Sequence, residues 1–145
     1  MSKLRCISKT LPVCDGLEGL REMKRTRILL ADDDLLMLTA TGKLLQADFE
    51  VVGMVSDGNS LVEAALKLQP DVVVTDISMP KMNGIEAVRI IRGTLPGIKF
   101  IFLTMHGARG YRREAQSVGA AGYVLKSSAR EELNQAIQRA IGASA

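Results

Sequence analysis

Three aspartates stand together at Asp32-Asp33-Asp34, a fourth acid follows at Asp76, and Thr104 and Lys126 lie further along. Each comes directly after a short apolar run: Ile28-Leu29-Leu30-Ala31, Val72-Val73-Val74-Thr75, Ile98 through Leu103, and Tyr123-Val124-Leu125. Three carboxylates held within about 4 Å would repel by roughly 4 kcal/mol per pair at an effective dielectric near 20. Lys126 supplies one positive charge. A divalent cation is the natural second source, and an all-oxygen site suits Mg²⁺ with several waters retained. A metal beside a carboxylate nucleophile is an arrangement for phosphoryl transfer: the positive groups neutralise phosphoryl oxygens while Asp76 attacks in line. An acyl phosphate on Asp76 would then present oxygens to the Thr104 hydroxyl and the Lys126 ammonium. Each residue also has a plainer role: Asp32, Asp33, Asp34 or Asp76 as a cap, Thr104 as an ordinary strand residue, Lys126 as a solvated tip.

The elements that must position them alternate regularly. The chain from Arg25 onward gives a strand ending at Ala31, then a helix over Leu35 to Ala47, with Asp34 as its cap and apolar residues such as Leu38, Leu44 and Leu45 at helical spacing. A second strand covers Phe49 to Val55. Ser56-Asp57-Gly58-Asn59 is a turn, and Ser60 with Glu63 has the spacing of a capping box for a helix that stops near Leu68, before Pro70. Val72 to Val74 have no polar face, so the third strand is buried on both sides. Pro80 and Asn83-Gly84 then impose a loop, and Asn83 caps the next helix. A fourth strand ends at Thr104, a short polar helix spans Tyr111 to Val118, and a fifth strand ends at Lys126. Ser128 with Glu131 marks a second capping box, opening a final helix whose stripe is Leu133, Ala136, Ile137, Ala140 and Ile141. Five β-α units predict a parallel sheet with helices on both faces and right-handed crossovers. In such a sheet all carboxyl ends share one edge, so Asp32-Asp33, Asp76, Thr104 and Lys126 meet there, where ligands of open α/β sheets collect. Four strands ending in such residues at one edge are far harder to ascribe to coincidence than one.

Composition excludes several other classes. The 145 residues suit one domain, and 47% hydrophobic content suffices for a core. The formal charge is only +3. Residues 1–24 carry five basic and three acidic residues, so the remainder is nearly neutral and no basic stripe marks a groove-reading helix. Neither a membrane-spanning run nor a secretory signal is present, and Cys6 and Cys14 are the only cysteines. The expectation is a reduced, cytoplasmic protein with no membrane contact. Residues 1–24 form an N-terminal extension that we expect to be flexible, with Met23 as an alternative start, followed by one domain over 25–145 and no output domain.

The ordered set Leu30-Ala31-Asp32-Asp33-Asp34, Asp76-Ile77-Ser78-Met79-Pro80-Lys81-Met82-Asn83-Gly84, Leu103-Thr104-Met105-His106 and Gly122-Tyr123-Val124-Leu125-Lys126 resembles the receiver domain of two-component response regulators. It is most similar to receivers that usually carry a helix-turn-helix output domain. The resemblance covers about residues 25 to 141. It implies a flavodoxin-like (βα)5 doubly wound α/β fold with strand order 2-1-3-4-5. It also implies that Asp76 is the phosphoacceptor, that Asp33, Asp76 and the backbone carbonyl of Ser78 bind Mg²⁺, and that Asp32 sits outside through water. Lys126 would bridge to the phosphoryl group, Thr104 would be the switch hydroxyl and Tyr123 the aromatic that follows it inward. Ser78 and His106 stand at positions resembling those that tune water access to the acyl phosphate. The sequence departs from many members at Ser127, where they have proline.

By this resemblance the chain is a signalling switch that turns over no external substrate. Its donor is a phosphohistidine on a sensor histidine kinase or histidine phosphotransfer protein. Its output passes through a downstream protein partner or a homodimer, with no nucleic acid bound by this chain alone. Two alternatives stand beside it: the receiver part of a longer DNA-binding transcriptional regulator, and a flavin-type cofactor protein on the same fold. Against the latter, aromatics are only 3%, Trp is absent and no glycine-rich phosphate loop follows the first strand.

Overall fold

A computed structural model describes residues 25–105 and 109–142. The extension with Cys6, Cys14 and Met23, and the loop residue His106, lie outside the described residues. Five strands alternate with five helices: β1 (Arg27–Ala31), α1 (Leu35–Gln46), β2 (Glu50–Val55), α2 (Gly58–Leu68), β3 (Val72–Thr75), α3 (Gly84–Thr94), β4 (Lys99–Thr104), α4 (Arg109–Ser117), β5 (Gly122–Leu125) and α5 (Ala129–Gly142). One 3-10 turn, Lys126–Ser128, joins β5 to α5. The strands form a single parallel sheet in the order β2-β1-β3-β4-β5. This is the expected flavodoxin-like order.

The period-two alternation of the strands divides the core in two. Leu29, Val73, Phe100 and Phe102 point to one face, where they meet Leu61 and Ala65 of α2, Ile85, Val88 and Ile91 of α3, and Ala115 of α4. Ile28, Leu30, Val72, Val74, Ile101 and Leu103 point to the other, against Leu38 and Leu45 of α1 and Leu133, Ile137 and Ala140 of α5. Every residue of β3 is buried, because it lies mid-sheet with helices above and below. That explains why Val72 to Val74 show no polar face.

The structure corrects the start of α2. The helix begins at Gly58 and Asp57 is its cap, rather than Ser60. Asp57 is extended (φ −151°, ψ 167°), so its Oδ1 can accept the Ser60 amide at 2.7 Å while the Ser60 hydroxyl donates to Oδ2 at 3.2 Å. Ser60 thus serves the cap instead of being it. The Ser60 amide also holds the Asp57 carboxyl below the ordinary carboxylate range. The Asn83 cap of α3 is present, with its side chain accepting the Glu86 amide at 2.9 Å. The left-handed position in the preceding loop is filled by Lys81 (φ 71°) and not by Gly84. Gly84 is needed for a different reason: a Cβ there would lie 2.1 Å from the carbonyl oxygen of Asp76.

Candidate functional site

The acidic cluster is built by adjacent strands. β1 and β3 pair in register from Ile28↔Val72 to Ala31↔Thr75, so the residues that follow, Asp32 and Asp76, leave the sheet side by side. The Asp76 amide donates to the Ala31 carbonyl at 2.9 Å and the Asp32 amide to the Val55 carbonyl at 3.1 Å. Both carboxylates are therefore fixed at the end of the ladder. Asp32 and Asp76 are buried, whereas Asp33 is exposed. Ligand atoms of all three lie within 4.8 Å of one another.

Lys126 arrives from β5, two strands from β3. Adjacent strands are about 4.8 Å apart, so the ammonium must cross roughly 10 Å past the end of β4, a span that demands a long side chain. It does so buried, with 7% of the side chain exposed, and lies 2.8 Å from Asp32 Oδ2 and 3.2 Å from Asp76 Oδ2. The solvated-tip reading of Lys126 is thereby excluded. The second oxygen of each acid is held by the backbone. Asp76 Oδ1 accepts the Ile77 amide at 2.7 Å, and Asp32 Oδ1 accepts the Asp34 amide at 2.9 Å. Asp34 caps α1 through the Leu36 and Met37 amides, as expected.

The charges do not balance. Burial pushes the Asp76 carboxyl above its ordinary value, and Asp32 adds to this; the pull of Lys126 and the Ile77 amide does not cancel them. Burial by itself would lower the Lys126 pKa, but its bonds to Asp32 and the charge of both acids raise it. A pair on its own would depress its acid. Here the acid rises because burial outweighs the pull of an ammonium that Asp76 shares with Asp32, whose own charge adds to the rise. With three carboxylates and one ammonium the cluster is two positive charges short, and its ligand atoms are all oxygen. Asp32, Asp33 and Asp76 thus fit a hard divalent cation.

Thr104 is buried at the end of β4, in register with Leu125 and thus beside the start of the Lys126 turn. Ser78 is exposed on the loop two residues after Asp76. Tyr123 is half-buried on β5, packed at the rim of the core that holds Phe102 and Ala115. Sequence reasoning missed the two backbone amides on Asp76 and Asp32, which leave no trace in residue type. It also missed Arg112, whose guanidinium lies 5.1 Å from the Tyr123 ring centroid.

Residues 28–138 match the response regulator receiver domain family. The chain belongs to that family. It is 42% identical over 113 residues to the transcriptional regulatory protein DesR of Bacillus subtilis, covering 77% of this chain and 56% of DesR. A protein-glutamate methylesterase/protein-glutamine glutaminase of Archaeoglobus fulgidus is 37% identical over 129 residues, covering 81% of this chain and 37% of that protein. Among solved structures, a LuxR-family DNA-binding response regulator from Staphylococcus aureus superposes with a TM-score of 0.76 at 31% identity, covering 79% of this chain and 98% of that one. The receiver thus spans about half the length of DesR and less of the methylesterase. No helix among the described residues is long and apolar enough to cross a membrane.

Proposed function

We propose that this receiver accepts a phosphoryl group on Asp76 from a phosphohistidine of a sensor histidine kinase or histidine phosphotransfer protein in the cytoplasm. The observation that carries this reading is the Asp76 carboxylate itself. It is buried at the end of the central strand, 3.2 Å from the Lys126 ammonium and grouped with Asp32 and Asp33.

A carboxylate oxygen of Asp76 attacks phosphorus as the phosphorus–nitrogen bond breaks, and the imidazole leaves with the electron pair and takes up a proton. Lys126 stays charged throughout and moves from neutralising a carboxylate to neutralising a phosphoryl oxygen. A Mg²⁺ ion held by Asp33, Asp76 and the Ser78 carbonyl, with Asp32 behind a water, would supply further positive charge to those oxygens. The Thr104 hydroxyl donates to a third. Modification adds about −1.5 to −2 charge to the pocket. Reversing a 1:99 population needs roughly 5.5 kcal/mol, which a few charge-assisted bonds of about 1.5–3 kcal/mol each are sufficient to provide. Tyr123 then turns inward after Thr104 and alters the surface of α4, β5 and α5.

Incubation with acetyl phosphate and Mg²⁺ should label the wild-type chain and leave Asp76→Asn unlabelled, read by intact mass. Undiminished labelling of the variant rejects the assignment. The output is a conformational change passed to a protein partner or a homodimer. A second reading, the receiver part of a DNA-binding regulator, draws support from the length and name of DesR. The methylesterase match argues that output follows the attached module and not the receiver.

A further inference from the structure

Helix α4 lays an arginine over the tyrosine of β5. The Arg112 guanidinium carbon is 5.1 Å from the ring centroid of Tyr123, within the range where a cation is drawn to an aromatic face. Arg112 is otherwise exposed. Beside the pair opens a cavity of about 330 Å³ whose remaining walls are mostly small, among them Ala115, Ala120, Ala121 and Gly122. One side of the ring packs on the core, and the cavity on this side leaves room beside the arginine contact.

We infer that Arg112 is a positioning residue of the switch: its cation holds the Tyr123 ring in the half-buried orientation, and an inward turn surrenders that contact. This rests on the reading that Tyr123 turns inward when Asp76 is modified. A contact made in one conformation weakens a ligand that selects the other by the same factor. An exposed cation–π contact sets that factor at roughly two- to five-fold, about 0.4–1 kcal/mol at 1.4 kcal/mol per tenfold. The sign is diagnostic. If Arg112 acted merely by attracting an anion to the pocket, removing its charge would weaken the anion. If it holds Tyr123, removing it strengthens the anion.

Beryllofluoride, a stable mimic of an aspartyl phosphate, can be titrated in Mg²⁺ into the full chain by calorimetry. With two tyrosines and no tryptophan in the chain, a Tyr111→Phe background makes tyrosine fluorescence report the Tyr123 ring alone. Arg112→Gln should tighten beryllofluoride binding roughly two- to five-fold, while Arg112→Lys, which keeps a cation, should stay closer to wild type. In a Tyr123→Leu background Arg112→Gln should have no effect, because the partner is gone. A wild-type response with an unshifted or weakened Arg112→Gln midpoint overturns the latch alone, as does a shift that persists without Tyr123. Absence of beryllofluoride binding by the wild-type chain overturns the phosphoacceptor reading and the latch with it.

Discussion

At the scale of single residues, the site is governed by a shortage of positive charge. One buried ammonium serves Asp32 and Asp76, and Asp33 stands within ligand distance of both. Removing Lys126 leaves two buried carboxylates facing each other, so Lys126→Met should cost about 3–5 kcal/mol in metal-free urea denaturation. Asp76→Asn has the opposite sign. It removes a carboxyl that burial and Asp32 disfavour, yet leaves Lys126 its shorter bond to Asp32. Without divalent cations its thermal midpoint should lie above wild type, by about 2–5 °C. A drop would show that Asp76 is already fully compensated by Lys126. The identity of these residues was legible in the sequence, because a carboxylate after an all-apolar strand has few reasons to be there. Their energetics were not. Whether Lys126 is a solvated tip or a buried counter-ion depends on its path across the end of β4, which local pattern does not encode.

At the scale of elements, arginines close helices whose last carbonyls lack partners. Arg25 donates to the Gln46 and Ala47 carbonyls after α1, Arg27 to those of Leu68 and Gln69 after α2, and Arg92 to Val118 after α4. Each places a cation at the negative end of a helix dipole. Arg27 is the most consequential, because it lies on β1 and its side chain ties that strand to the end of α2. Its backbone amide, which donates to Asp71 Oδ2 at 2.9 Å, is retained on substitution. Arg27→Met should cost about 1–2 kcal/mol in chemical denaturation, with labelling of Asp76 unchanged. Gly84 behaves differently. A methyl there would strike the carbonyl of Asp76, so Gly84→Ala should lower both stability and acetyl phosphate labelling, whereas Gly93→Ala, where a methyl meets nothing within 4 Å, should leave labelling alone. Helix existence and the Asn83 cap could be read from spacing, since both are local. The Asp57 cap could not be separated from Ser60 by residue type, because both side chains cap helices well and only backbone conformation decides between them.

At the scale of the whole molecule, strand order makes the site. The β-α rhythm specifies a parallel sheet but not which strands are neighbours; that came from the family resemblance. With β1 and β3 adjacent at the centre, their acids must meet, and a ligand that bridges them ties the two central strands together. Divalent cation binding is therefore expected to stabilise the entire fold, by about 2.7 kcal/mol at a hundredfold excess over Kd. The pH dependence follows from the raised Asp76 pKa. In the metal-free chain this group holds its proton more tightly folded than unfolded. Its contribution to stability is thus greatest below the unfolded value of 3.8 and declines as pH rises through the folded value. Cation binding requires the ionised form, so the stabilisation it gives grows over the same interval. Thermal melts in Mg²⁺ and in EDTA should converge in acid and separate as pH rises, with the separation beginning above the range of an ordinary aspartate. Asp76→Asn should largely close the gap at neutral pH, because the variant offers the cation no carboxylate at the centre of the cluster. A gap that persists unchanged in Asp76→Asn would mean that the ion binds elsewhere on the molecule.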